Sequence, residues 1–135
     1  MTDVYIYDAV RTPRGKARPD GGLAKLSPQE LVRQQIIALR ARCGDAAAAP
    51  DALLLGCVTQ SGTQGGHIAL VAKLHAGLPH ETIAHSINNY CASGLSAIGQ
   101  AIAKVASGEM NSILAGGVES MSSAPFLGDR ASFYT

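Results

Sequence analysis

Between positions 93 and 107 apolar side chains recur on almost every face of one helix. Leu95, Ala97, Ile98, Ala101, Ile102, Ala103, Val105 and Ala106 are interrupted on their polar side only by Ser96, Gln100 and Lys104, and Gly108 ends the run. A helix apolar nearly all round belongs inside a fold rather than on its surface. It therefore needs cover on every side. With 135 residues there is room for about one domain. The 47% of apolar and 16% of charged residues support a packed core and argue against disorder.

What surrounds that helix reads as alternating strands and helices. Residues 4–10 are rich in β-branched and aromatic side chains and predict a first strand. Residues 52–58 form a continuous apolar run of strand length, as expected for a strand covered on both faces. Residues 84–88 and 112–118 predict two more. A first helix starts at Ser27-Pro28-Gln29-Glu30, a capping box with proline at the first helical position. Leu26 and Leu31 are placed for a hydrophobic staple, and Val32, Ile36, Leu39 and Cys43 then recur at helical spacing until Gly44. That spacing turns Cys43 toward the core. A second helix is expected over 65–76, with Ile68, Val71, Ala72 and His75 on one face and Lys73 pointing away. The order β-α-β-α-β-α-β predicts an α/β fold with a mostly parallel sheet and helices on both faces. From Glu119 to Thr135 the pattern dissolves, so 1–118 read as the domain and 119–135 as the start of an insertion or linker.

Several function classes are disfavoured. Eleven Lys and Arg against ten Asp and Glu leave a net charge of +1, too little field to capture nucleic acid or an acidic membrane. Aromatics at 4% and no tryptophan make base-stacking platforms unlike this chain. No apolar run approaches the ~18–20 residues of a membrane span. Met1-Thr2-Asp3 does not open a secretory signal. Three cysteines without C-x-x-C spacing suit neither a disulfide framework nor a zinc site, and imply a reducing, cytoplasmic compartment. The basic residues Arg11, Arg14, Lys16 and Arg18 read as a solvated loop. The Gly-rich turn 59–66 lacks the phosphate-cradling pattern. His67 and His75, eight apart with no supporting carboxylate, read as structural, so no metal is expected.

Cys91 stands apart. In Asn88-Asn89-Tyr90-Cys91-Ala92-Ser93-Gly94-Leu95 a strand ends, a tight turn follows and the apolar helix begins. A thiol at a helix start meets the positive end of the macrodipole and unpaired N–H donors, both of which favour the nucleophilic thiolate. Its own N–H can serve as an oxyanion donor, and Gly94 permits close approach. The residues alone leave a second reading open, in which Cys91 fills space as most buried cysteines do.

The stretch Asn88-x-x-Cys91-x-Ser93-Gly94 resembles the nucleophile motif of the thiolases. Three further stretches agree in order and spacing. They are Asp8-Ala9-Val10-Arg11-Thr12-Pro13-Arg14-Gly15-Lys16, Gly56-Cys57-Val58-Thr59-Gln60 with Gly65, and Gly116-Gly117-Val118-Glu119-Ser120-Met121-Ser122. The Arg11-Thr12-Pro13-Arg14-Gly15 opening and the Asp20-Gly21-Gly22-Leu23 turn lie nearer the degradative 3-ketoacyl-CoA thiolases. The resemblance covers essentially the whole chain. It implies a thiolase-like half-domain, with a mixed, mostly parallel sheet and a buried helix after the nucleophile. It implies acyl transfer between a 3-ketoacyl-CoA and CoA through a thioester on Cys91, or the reverse Claisen condensation. Coenzyme A is then a substrate, and no permanently bound cofactor is expected.

The resemblance also implies what this chain lacks. The family's second half supplies a Gly-His-Pro histidine that activates the nucleophile and a second cysteine in a Cys-x-Gly-x-Gly setting. Neither motif occurs here, and His67, His75, His80 and His85 match none of them. A nucleophile without its base does not turn over alone. The expected partners are therefore the C-terminal half of the same enzyme and, as homodimer or homotetramer, further copies. Two other readings compete: a related ketosynthase, and a non-catalytic structural half of a split thiolase-like assembly.

Overall fold

The computed structural model describes residues 2–124. Helix α1 (Pro28–Cys43) leads through a one-turn helix α2 (Asp45–Ala48) into strand β1 (Ala52–Gly56). A 3-10 turn at Gly62–Gln64 precedes α3 (Ile68–His75), followed by β2 (Ile83–Ile87), α4 (Ser93–Ala106) and β3 (Ile113–Gly117). The three strands form one parallel sheet in the order β2-β1-β3. Gly56 is level with Ile87 on one side and Gly117 on the other, so all three strands end at the same edge.

The central strand explains the layering. Every residue of β1 is buried. Side chains alternate across a strand, and each face has its own core. Leu53 and Leu55 pack with Val32 and Ile36 of α1 and Ile68, Ala69 and Ala72 of α3. Ala52 and Leu54 pack with Ala97 and Ala101 of α4 and with Met110. Burying a leucine such as Leu54, which is 0% exposed, contributes about 1.5–3 kcal/mol. The expected α/β architecture with helices on both faces is therefore present.

Helix α1 begins where its sequence signals place it. The Ser27 hydroxyl accepts the Glu30 N–H at 3.3 Å, and Pro28 occupies the first turn. Glu30 turns its carboxylate outward instead of closing the box. It pairs with His75 at 2.7 Å and Arg33 at 3.1 Å, and these bonds hold its carboxyl below the usual range.

Four local expectations are corrected. Residues 4–10 form no strand, and Tyr5, Ile6 and Tyr7 are 72%, 76% and 83% exposed. Strand propensity needs a ladder partner. This segment is instead fastened by the Asp8 carboxylate, which meets Arg42 at 2.6 Å. Helix α3 starts at Ile68, and its buried residues are Ile68, Ala69, Ala72 and Lys73, whereas Val71 and His75 are exposed. Lys73 is buried because its ammonium donates to the His80 carbonyl at 2.7 Å while its stem covers apolar surface. Cys43 is half-buried, with Sγ 3.9 Å from Asp8 Oδ2, rather than in the core. Finally, α4 buries only Ser93, Ala97 and Ala101 and leaves Leu95, Ile98 and Ile102 exposed. One side of the helix lies on the sheet, and nothing among the described residues covers the other.

Candidate active site

Parallel α/β sheets place their chemistry beyond the carboxyl ends of the strands. Here three loops meet at that edge: 57–64 after β1, 88–92 after β2, and 118–124 after β3. Backbone bonds fasten them together. The Cys57 N–H donates to the Ile87 carbonyl at 2.9 Å, and the Val118 N–H donates to the Gly56 carbonyl at 2.9 Å.

The turn before α4 is built by its own polar side chains. Asn88 faces two ways: its Nδ2 donates to the Val58 carbonyl at 3.2 Å, and its Oδ1 accepts the Tyr90 N–H at 3.0 Å. Ser93, buried, accepts the Asn89 N–H at 2.8 Å and donates to the Tyr90 carbonyl. Tyr90 is thereby held at φ 47°, a left-handed conformation that bulky residues avoid. Such a position costs about 1–3 kcal/mol and persists only where its surroundings over-determine it. Cys91 follows this turn, exposed, two residues before the first residue of α4.

Two glycines bring α4 close enough to the sheet. A Cβ on Gly56 would overlap the backbone of Ser93 and Gly94, and one on Gly117 would meet Gly94 Cα at 3.4 Å. The start of the helix therefore rests directly on the ends of β1 and β3. Asn88 and Ser93 of the motif each have a hydrogen-bonding reason to be there, and the steric demand for glycine falls on Gly56 and Gly117 beneath Gly94.

The other two thiols are disposed differently. Burial, then the charge of and contact with Glu119, push the Cys57 thiol up to about 12. Its Sγ lies 3.7 Å from Glu119 Oε2. Cys43 is on the far side of α1's end, beside Asp8. None of the four histidines is hydrogen-bonded to the Cys91 turn among the described residues. His67 caps α3 and bonds Ser86 at 2.9 Å, and His75 pairs with Glu30. No group of three or more His, Cys, Asp or Glu side chains is placed to hold a metal ion among the described residues. No described helix is long and apolar enough to cross a membrane.

Glu119 escaped sequence reasoning. Its carboxylate accepts from Val58 N–H at 2.8 Å, Thr59 N–H at 3.2 Å and Gln64 Nε2 at 2.9 Å. Partial burial works to raise its pKa, but these donors outweigh it and hold the carboxyl below its usual value. Gln64 is fully buried, its Nε2 also donating to the Thr59 carbonyl at 2.8 Å and its Oε1 accepting the Ser120 N–H. Residues 119–124 are thus tied back onto the sheet edge, and 125–135, the rest of the expected linker, lie outside the described residues.

The family model described as the thiolase N-terminal domain matches residues 4–133. A beta-ketoadipyl-CoA thiolase of Pseudomonas putida is 42% identical over 97% of this chain. A 3-oxoadipyl-CoA/3-oxo-5,6-dehydrosuberyl-CoA thiolase of Escherichia coli K12 is 38% identical over 97% of it, and a 3-ketoacyl-CoA thiolase of Bacillus subtilis 37% identical over 95%. The chain spans 32% of the length of each of these relatives.

Proposed function

This chain belongs to the thiolase family, and from that premise we propose that it is the nucleophile-bearing N-terminal part of an acyltransferase, with Cys91 as the catalytic residue. The observation that carries the reading is the placement of Cys91. Of the three thiols it is the exposed one, and a strained turn held by its own polar side chains presents it at the start of α4 on the carboxyl edge of the sheet.

On this reading the Cys91 thiolate attacks the C3 carbonyl of a 3-ketoacyl-CoA. The C2–C3 bond breaks, and its electron pair leaves with the acetyl-CoA fragment, which takes up a proton. The acyl group stays on Cys91 as a thioester. The thiol of a second CoA then attacks that thioester, frees Cys91 and carries the acyl group away, in ping-pong order. Run backward, the same steps are the Claisen condensation. The proton acceptor and donor come from the remaining two thirds of the enzyme, because no histidine here engages the Cys91 turn.

The exposed apolar face of α4 (Leu95, Ile98 and Ile102) is the surface on which we place that C-terminal part. The assembled enzyme is then a homodimer or homotetramer of the reducing cytoplasm, taking acyl-CoA and CoA as substrates and holding no permanent cofactor. The names of the relatives favour 3-oxoacyl-CoA substrates, with a 3-oxoadipyl chain as one candidate. We place the domain boundary at 118, with 119–135 opening the segment that links the halves.

The test is a thiolysis assay on the assembled enzyme with acetoacetyl-CoA and 3-oxoadipyl-CoA. Cleavage that disappears in Cys91→Ala supports the reading. Undiminished cleavage by that variant overturns it and favours the non-catalytic half. Condensation with malonyl units in place of thiolysis favours the ketosynthase.

A further inference from the structure

A carboxylate on one strand's loop and a thiol on another's are linked through the loop between them. Glu119 follows β3, and its two oxygens collect the backbone N–H groups of Val58 and Thr59 and the Gln64 amide. The Val58 carbonyl, on the other side of that backbone, accepts Asn88 Nδ2 at 3.2 Å. Asn88 Oδ1 in turn accepts the N–H of Tyr90, the residue before Cys91. We infer that Glu119 is a positioning residue for the nucleophile: its carboxylate fixes the 58–59 backbone, and that backbone, through Asn88, sets where the Cys91 turn stands. This rests on the reading of Cys91 as the nucleophile.

The residue type fits the task. Three N–H donors converge on the group, with the Cys57 thiol a fourth at 3.7 Å, so it must accept only, and an ionised carboxylate is the side chain that does so. Gln64 cannot turn over to relieve a substitution. Its Nε2 serves both Glu119 and the Thr59 carbonyl, while its Oε1 serves the Ser120 N–H. A glutamine at 119 therefore sets an NH2 against at least one of the three N–H donors. The charge also strengthens the bonds it accepts. Nothing in this arrangement touches the reacting atoms, so Glu119 acts on where Cys91 is held and not on its chemistry.

A second carboxylate provides the control. Asp51, at the opposite edge of the sheet, accepts the Asn111 N–H at 2.6 Å and the Ser112 N–H at 3.2 Å. It clamps a loop in the same manner, far from the nucleophile turn.

The experiment measures single-turnover acylation of Cys91 by acetoacetyl-CoA in the assembled enzyme, by acid quench and mass spectrometry, together with KM. Glu119→Gln is expected to slow acylation by ~10²-fold with KM changed less than ~3-fold, the signature of a misplaced rather than unbound reactant. Asp51→Asn is expected to acylate within ~2-fold of wild type even where it melts earlier. Asn88→Asp, which keeps the acceptor for Tyr90 but removes the donor to Val58, cuts the same relay downstream. It is expected to slow acylation too, and to do so non-additively with Glu119→Gln. Wild-type acylation rates in Glu119→Gln, or additive slowing in the double variant, would overturn the inference. If Glu119→Gln does not fold, a wild-type rate in Asn88→Asp overturns it alone. Wild-type enzyme that never acylates Cys91 overturns the underlying nucleophile reading instead.

Discussion

The Glu119 carboxylate accepts the Val58 backbone N–H at 2.8 Å across a separation of 61 residues. One hydrogen bond thus joins the loop after β3 to the loop after β1, and the Val58 carbonyl in turn accepts the Asn88 amide that begins the Cys91 turn.

Acid should loosen this junction. The carboxyl of Glu119 is held below its usual value of 4.5 in the folded chain, so the unfolded state binds its proton first as pH falls. The stability it contributes is full above 4.5 and is lost as pH drops through the lower, folded value. Melting curves of the assembled enzyme should therefore fall more steeply for wild type than for Glu119→Gln as pH drops from 4.5 through that lower value. Parallel curves would show that the carboxylate contributes nothing through its charge.

The three thiols should separate by reactivity. At mildly alkaline pH, limited alkylation of the assembled enzyme and peptide mapping should label Cys91 ahead of Cys57. Cys57 is buried and its thiol is pushed from 9.0 to about 12, and only the thiolate reacts. The same shift makes a stability statement: what the neutral Cys57 thiol contributes is present below 9.0 and fades as pH rises toward 12. Early labelling of Cys57 would contradict both.

Gly56 and Gly94 should respond differently to alanine. A Cβ at Gly56 runs into the Ser93 and Gly94 backbone, whereas one at Gly94 meets nothing closer than 3.8 Å. Gly56→Ala should cost about 1–3 kcal/mol of stability, as overpacked sites do, and slow acylation because it lifts the start of α4. Gly94→Ala should melt within about 1 kcal/mol of wild type. Calorimetry of the two variants decides, and equal melting temperatures would mean the helix does not rest on the strand ends as described.

Much of this was legible in the sequence, and what was not has a common cause. Helix α1 and the core strand β1 declare themselves because capping and continuous apolarity are local. The Asn88-x-x-Cys91-x-Ser93-Gly94 motif is largely local too: apart from the Asn88 bond to the Val58 carbonyl, its hydrogen bonds close within the nine residues from Asn88 to Ser96. Residues 4–10 have strand composition, but a strand is made by its partner, and β-branched residues cannot name one. The half-exposure of α4 was hidden for the opposite reason: its all-round apolarity does not say which residues cover it, and among the described residues only one side is covered. Glu119 looked like the start of a linker because its partners, Val58, Thr59 and Gln64, are 55 or more residues away. The available signal was that the stretches holding Glu119 and Val58 were both among those resembling the family.

The uncovered side of α4 should be an interface. Leu95 is 72% exposed, and Ile98 and Ile102 are each more than a third exposed. Ile98→Asp or Ile102→Asp should block assembly with the C-terminal part, since burying an unpaired carboxylate costs several kcal/mol. Size-exclusion chromatography with light scattering reads the result. Assembly at wild-type yield by both variants would place the C-terminal part elsewhere.

Trapping the acyl-enzyme tests the central claim most directly. The assembled enzyme is mixed with acetoacetyl-CoA without free CoA, quenched in acid, digested and mapped by mass spectrometry. An acetyl thioester is expected on the peptide containing Cys91, discharged by added CoA and absent from Cys91→Ser. An acetyl group on Cys43, on Cys57 or on no cysteine, with thiolysis still proceeding, would contradict it.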